Sequence, residues 1–245
     1  MKAVILAGGH GTRGKPFTDY FPKAMIPIDG KPLIEYVVKY VSSFSFIDEI
    51  IILADYRGLG GQIERYFENR STISKKRLRF VQDSNGGTAG DLVHVSDHLY
   101  KNSEFLLWFV DNFGAIDLAK MYRFFKMKKS LACVATRKYR KEETGYAVVE
   151  DGIVMKFKEK PLAKLQMAEC LGVYILDTKI LKTIKSKKEK RKNINLSFDV
   201  LEEISKKKVI SSFDIGKTPW IDVDSPIRIE RNQVLIKEII KKMKI

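Results

Sequence analysis

Long apolar runs are missing from this chain of 245 residues: nowhere do 18 apolar residues follow one another, so nothing in it reads as a membrane span. Lys2 is followed by only five apolar residues before Gly8 and Gly9, too few for the core of a secretory signal, and a cytoplasmic location is expected. Cysteine is nearly absent. Its two copies, Cys133 and Cys170, exclude a disulfide framework or a cysteine-rich zinc site, and their apolar surroundings, LACVAT and ECLGVYIL, predict small buried thiols. Proline is limited to 7 residues and glycine to 16, which with 44% apolar and 31% charged residues excludes disordered and fibrous classes. The length suits one large α/β domain with a modest elaboration.

Acid is in short supply. Against 30 Asp and Glu stand 45 Lys and Arg, a net charge of +15 that favours anionic ligands in general. The excess lies in KMKK at 126–129, KSKKEKRK at 185–192, KKK at 206–208 and KKMK at 241–244. No aromatic residues are interleaved as in single-strand-binding surfaces, so these runs are expected to be solvated helix faces, with neither nucleic acid nor membrane as partner.

What is present is a glycine turn, LAGGHGTRGKPFT at 6–18, that matches two phosphate-site patterns at once. Gly9, Gly11 and Gly14 fit G-x-G-x-x-G, and Gly9 to Lys15 fit the first seven positions of G-x-x-x-x-G-K-[ST]. The first requires a helix running on from the loop. Pro16, Pro22 and Pro27 stop one, and the acid at the expected distance, Glu35, falls on a helix and not at a strand end. The second requires Ser or Thr where Pro16 stands, which leaves Lys15 a solvated loop lysine. There remains a turn at the end of a buried strand, exposing backbone donors and followed by Thr12, Arg13 and Lys23, a set able to hold a triphosphate.

Val4–Ala7 reads as an interior strand, followed by more than 20 residues without regular structure, which is unusual unless functional. Pro32 opens a helix with Leu33, Ile34, Val37, Val38 and Val41 on one face. Strands are predicted at 50–54, 78–82, 105–110 and 131–136 and helices at 62–67, 118–129 and from a Thr88 cap to about Leu99. This alternation implies a doubly wound, mostly parallel sheet. After Lys138 shorter strands follow at 145–150, 153–160 and 170–176, with Asp151 and Gly152 as a hairpin turn, then helices near 197–207 and 226–243. Lys160 precedes Pro161 and is expected in extended backbone. Asp111 ends an apolar strand at the edge where open α/β sheets bind ligands, and Asp222 follows Trp220 and Ile221, so two distant carboxylates could share one oxygen-seeking cation. Asp224 is a reserve ligand or the cap of the helix opened by Pro226.

Taken together, GGHGTRGKPFT at 8–18, PKAMIPIDGKP at 22–32, QDSNGGTAG at 82–90, FVDN at 109–112, TGYAVVE at 144–150, FKEKP at 157–161, LGVYIL at 171–176, SFDVL at 197–201 and WIDVDSP at 220–226 resemble the sugar-1-phosphate nucleotidylyltransferase family over nearly the full length. That resemblance implies a Rossmann-like nucleotidyltransferase fold in a single domain, with about 1–138 binding nucleotide and 139–245 adding a small strand-rich, sugar-phosphate-binding elaboration. It implies that Leu6, Ala7, Gly8, Gly9, Gly11, Thr12 and Arg13 hold the nucleotide, with Gln82, Gly87 and Thr88 about the base, and that Arg13, Lys23 and Asp111 are catalytic. Asp111 and Asp222 would bind Mg2+, and Gly145, Glu159, Lys160 and Cys170 the sugar phosphate. The substrates implied are an NTP (dTTP, UTP or GTP) and a sugar 1-phosphate, glucose 1-phosphate with dTTP leading and mannose- or heptose-1-phosphate guanylylation next. A silent nucleotide-sugar-binding regulator is the alternative from another class, and a homo-oligomer is common in the family. No β-helix repeat follows residue 245, which implies a stand-alone transferase.

The chain departs from the family pattern in four places. Gly14 stands for the usual leucine, which would loosen the loop base; Val110 precedes Asp111 in place of glycine; Cys170 takes the place of an asparagine; and Asp224-Ser225-Pro226 replaces Gly-Thr-Pro.

Overall fold

Five residues, KAVIL, occupy the middle of the molecule as β1 (Lys2–Leu6), their centre fully buried because both faces of the strand are covered. In this computed structural model, which describes residues 1–9, 11–68, 70–142 and 144–245, the chain continues through β2 (Pro27–Ile28), β3 (Lys31–Pro32), α1 (Leu33–Ser42), β4 (Glu49–Ala54), α2 (Gly61–Glu68) and β5 (Arg77–Gln82). Next come α3 (Gly87–His94), α4 (Ser96–Leu99), β6 (Glu104–Phe109), β7 (Asn112–Gly114), α5 (Leu118–Lys128), β8 (Ala132–Lys141), β9 (Gly145–Glu150), β10 (Ile153–Glu159) and β11 (Leu162–Asp177). The last part holds α6 (Ile180–Lys188), a π-helical turn at Leu196–Leu201, α7 (Glu202–Ser205), β12 (Ile210–Asp214), β13 (Trp220–Asp222), α8 (Pro226–Arg231) and α9 (Gln233–Met243).

Seven strands form one sheet in the order β12-β8-β11-β6-β1-β4-β5. All neighbours are parallel except β11, which runs antiparallel to both β6 and β8. The twofold alternation of a strand divides the core between two faces: Ala3, Ile5, Ile50, Ile52, Leu106 and Trp108 pack on one, and Val4, Ile51, Leu53, Phe105 and Leu107 on the other. The doubly wound, mostly parallel sheet expected from the alternation is therefore present. Leu6 pairs with Phe109 and its carbonyl accepts Val110 N at 3.1 Å, so the chain leaves β1 and β6 at the same end of the sheet, toward the glycine turn and Asp111 respectively.

Several local expectations need correction. The helix predicted from Thr88 to Leu99 breaks at Val95, and Thr88 does not cap it; its Oγ1 accepts Leu196 N at 2.9 Å, a bond from a segment 108 residues away. The apolar piece at 170–176 is not a short strand but the inner end of β11, which is 16 residues long. Cys133 is buried as expected, whereas Cys170 is exposed, because the buried stretch of β11 begins only at Leu171. Lys160 has φ 45, not extended backbone, since the chain must turn where β10 ends and β11 begins. The 226–243 helix is interrupted at Asn232, and α6, β12 and β7 were not foreseen. The four lysine runs all lie at or just after helix C-termini, those of α5, α6, α7 and α9, where cations suit the helix dipole.

Candidate active site at the strand ends

Between β1 and β2 the chain makes three single 3-10 turns, at Thr12–Gly14, Phe17–Asp19 and Lys23–Met25. Gly11 adopts φ 59 and caps the first of these, and Gly14 N donates to Gly11 O at 2.7 Å. Thr18 Oγ1 reaches back to the same carbonyl at 2.7 Å, and its methyl fills the space beside Gly14: a Cβ on Gly14 would lie 2.6 Å from Thr18 Cγ2. Gly14 is thus buried and packed, with the Thr18 methyl occupying the place beside it. Lys15 is an exposed loop lysine paired with Asp19 at 3.0 Å.

The third turn delivers Lys23. Its flanking residues Ala24, Ile26 and Ile28 are fully buried and pin the segment, so the lysine enters the interior with 9% of its surface exposed. A buried ammonium needs an anion. Lys23 Nζ meets Asp111 Oδ2 at 2.7 Å. The other oxygen, Oδ1, accepts Asn112 Nδ2 at 2.9 Å, and Asn112 in turn accepts Gly172 N on its own Oδ1 at 2.8 Å. Gly172 is required for this approach, since a Cβ there would stand 2.2 Å from Asn112 Nδ2. Asn112 was legible only as part of FVDN and Gly172 only as part of LGVYIL; that the two meet had no signal in the sequence.

β7 pairs with β13 so that Asp222 faces Asn112, and Val223 N donates to Asp111 O at 2.7 Å. Asp111 and Asp222 therefore converge from residues far apart in the chain. Asp222 Oδ1 is buried with no hydrogen-bond partner. Burial first, and then the Asp111 charge, push its carboxyl above the ordinary carboxylate value, against the pull of Lys23. An orphaned carboxylate oxygen beside a second carboxylate suits a hard divalent cation, so the two residues fit Mg2+. No cluster of three or more His, Cys, Asp or Glu able to hold a metal occurs among the described residues, and further ligands would have to come from phosphates or water. Tyr174, three residues beyond Leu171 on β11, is buried, and burial pushes its hydroxyl up to about 12, while Cys170 lies exposed on the outer stretch of the same strand.

Asp224 does not act as a helix cap; Ser225 holds the cap position of α8. Its Oδ2 accepts Arg13 Nη1 at 2.8 Å and Arg228 Nη1 at 3.4 Å.

The base-side residues gather at the ends of β4 and β5. Gln82 Nε2 donates to Asp55 Oδ1 and Asp83 Oδ1 at 3.0 and 3.1 Å, and its Oε1 accepts Arg57 N at 3.1 Å. Gly8 leaves room for this group, as a Cβ there would meet Asp83 Oδ2 at 2.6 Å. Asp55 carried no motif, and Asp83 was legible only as part of QDSNGGTAG. Gly87, at φ 76, lets residues 193–194 approach closely, with Ile194 O receiving Ala89 N at 3.0 Å. Leu6 and Ala7 lead into the turn, while Gly9 and Thr12 are exposed on it. His10 lies outside the described residues.

Gly145, Glu159 and Lys160 are not in hydrogen-bond contact with this corner among the described residues. They sit on the β9–β10 hairpin, exposed along its whole length. Two side chains of β10 fill the space beside Gly145, where a Cβ would lie 2.4 Å from Phe157 Cζ and 2.9 Å from Glu159 Oε2. Glu35, the acid of the dinucleotide pattern, is buried on α1, accepting the Tyr66 hydroxyl and pairing with Lys39 at 2.8 Å.

A family model described as nucleotidyl transferase matches residues 2–230. The chain is 29% identical to a UTP–glucose-1-phosphate uridylyltransferase of Synechocystis sp., over 77% of this chain and 52% of that protein. It is 27% identical to a mannose-1-phosphate guanyltransferase of Schizosaccharomyces pombe, over 92% and 61%, and 29% identical to a glucose-1-phosphate cytidylyltransferase of Salmonella typhi, over 75% and 78%. It thus spans between half and two thirds of the length of the first two. In fold it matches a candidate glucose-1-phosphate thymidylyltransferase of Bacillus anthracis, with a TM-score of 0.76 over 98% of this chain and 96% of that one at 22% identity.

Proposed function

Since the chain belongs to the nucleotidyl transferase family, we propose that it transfers a nucleotidyl group from an NTP to a sugar 1-phosphate and releases pyrophosphate. The observation that carries this reading is the convergence of Lys23, Asp111 and the orphaned Asp222 carboxylate beside the glycine turn. In the reaction an oxygen of the sugar phosphate forms a bond to the α-phosphorus while the bond to the bridging oxygen of pyrophosphate breaks. The attacking oxygen is already anionic near neutral pH, so no protein base is needed. What the chain must supply is alignment of two polyanions and cancellation of their charge. The amides of Gly8, Gly9 and Gly11 and the Arg13 guanidinium grip the triphosphate, and Lys23 meets the phosphates undergoing transfer. Asp111 and Asp222 would hold Mg2+, which when bound screens the charge gathered between the substrates.

Residues 1–138 serve as the nucleotide half and 139–245 as the sugar-phosphate half, with Gly145, Glu159, Lys160 and Cys170 facing the sugar phosphate. We favour glucose 1-phosphate with dTTP, because Gln82 and Asp111-Asn112 resemble the thymidylyl- and uridylyl-transferring branches of the family. The second reading, guanylylation of mannose 1-phosphate or a heptose 1-phosphate, rests on the Asp55 and Asp83 carboxylates flanking Gln82, which suit the N–H groups of guanine. The test is a matrix of the five common NTPs against glucose, mannose, galactose, N-acetylglucosamine and heptose 1-phosphates with Mg2+, reading pyrophosphate. Fastest release with dTTP and glucose 1-phosphate is expected; a GTP preference moves the assignment to the second reading, and silence throughout overturns the transferase.

A further inference from the structure

Two departures from the family pattern, Gly14 and Asp224, meet in space. Arg13 Nη1 donates to Asp224 Oδ2 at 2.8 Å across 211 residues of sequence. The acid is nearly buried, its side chain 12% exposed, and it is itself held: Arg228 Nη1 approaches the same oxygen at 3.4 Å, and Ser225 Oγ donates to Oδ1 at 3.1 Å. Arg13 is held at one nitrogen and remains 67% exposed. The 3-10 turn that carries it lies against the Asp224 backbone, where a Cβ on Gly14 would be 3.7 Å from Asp224 O and 2.6 Å from Thr18 Cγ2. A leucine at 14 has no room there unless Thr18 and the 224 segment move.

We propose that Asp224 is a positioning residue for Arg13, fixing one nitrogen of the guanidinium and leaving the rest of its fork turned to the open site for the triphosphate, and that the absence of a side chain at Gly14 lets the two segments close. This rests on the transferase reading above for the identity of the anion. An arginine on a loop has many rotamers, and ordering it at the moment of binding costs affinity; an acid that orders it beforehand removes that cost. The remaining guanidinium nitrogens can then make the paired bonds that phosphate favours. Arg228 shares the carboxylate, so Asp224 does not cancel Arg13 alone.

The experiment is calorimetric titration of inorganic tripolyphosphate into the full chain, with Asp224→Asn, Arg13→Ala and the double variant, each checked by circular dichroism. Asp224→Asn should weaken binding about fivefold in the wild-type background and have no further effect once Arg13 is alanine. Gly14→Leu should reproduce the Asp224→Asn loss. In turnover, kcat/KM for the nucleotide should fall by the same factor while KM for the sugar 1-phosphate stays unchanged. Equal losses with and without Arg13, or no loss in either, would overturn the proposal. Because tripolyphosphate binding is read without turnover, the positioning role and the transferase assignment fail separately.

Discussion

Around Asp111 the polar groups are bound to one another from distant parts of the chain, whereas β9 and β10 are exposed throughout and, among the described residues, are strand partners only of each other. Lys23, Asp111, Asn112 and Gly172 come from a 3-10 turn, a strand end, β7 and β11, and each contact depends on another. The hairpin instead carries Tyr146, Val148, Val149, Ile153, Val154, Met155 and Phe157 with about half or more of their surface exposed. A two-stranded ribbon with no packed face is marginal in water. The difference shows that the charged corner is built by the fold of the whole sheet, while the hairpin is attached to it by the outer ends of β8 and β11. The same change should therefore have unequal consequences in the two places.

The largest effect is expected at the corner itself. Asp111→Asn removes the partner of Lys23 and one cation ligand, and pyrophosphate release should fall by at least about a hundredfold with the circular dichroism spectrum unchanged; undiminished release would remove Asp111 from the site. Gly172→Ala forces a methyl group into Asn112 and should cost roughly 1–3 kcal/mol, seen as a thermal midpoint lower by about 3–8 °C, together with about tenfold slower turnover. Gly145→Ala makes a comparable clash on paper, yet its neighbour Phe157 is 65% exposed and can swing away. Its midpoint should stay within about 1 °C while KM for the sugar 1-phosphate rises several-fold. Matching losses of stability in the two glycine variants would break the contrast between the regions. The last change is a gain: Asp222→Asn removes the charge from a half-buried carboxyl whose Oδ1 has no hydrogen-bond partner, and should raise the metal-free midpoint by about 1–3 °C, while abolishing any further rise on adding Mg2+. A fall in the metal-free midpoint would mean that Asp222 has a partner after all.

Much of the sheet was legible because buried parallel strands leave short apolar runs that end at glycines or acids, as at Val4–Ala7 and Phe105–Val110. The glycine turn was legible from its donors and from the prolines that rule out a following helix. The interruptions at Val95 and Asn232 were not, because nothing in local propensity marks them. Thr88 looked like a cap for the same reason. Its hydroxyl answers to Leu196 N, and long-range bonds override a local one.

Residue order alone determined which groups are available: a strand feeding a glycine turn, Arg13 and Lys23 just beyond it, and acids at the ends of two apolar pieces. Only the tertiary structure decided which of them pair. Lys23 meets Asp111 over 88 residues and Arg13 meets Asp224 over 211, contacts that arise because parallel β1 and β6 end together and β13 lies beside β7. Local sequence carries the strand and its chemistry; the meeting of charges depends on register between strands, which is set by how both faces of the sheet are buried.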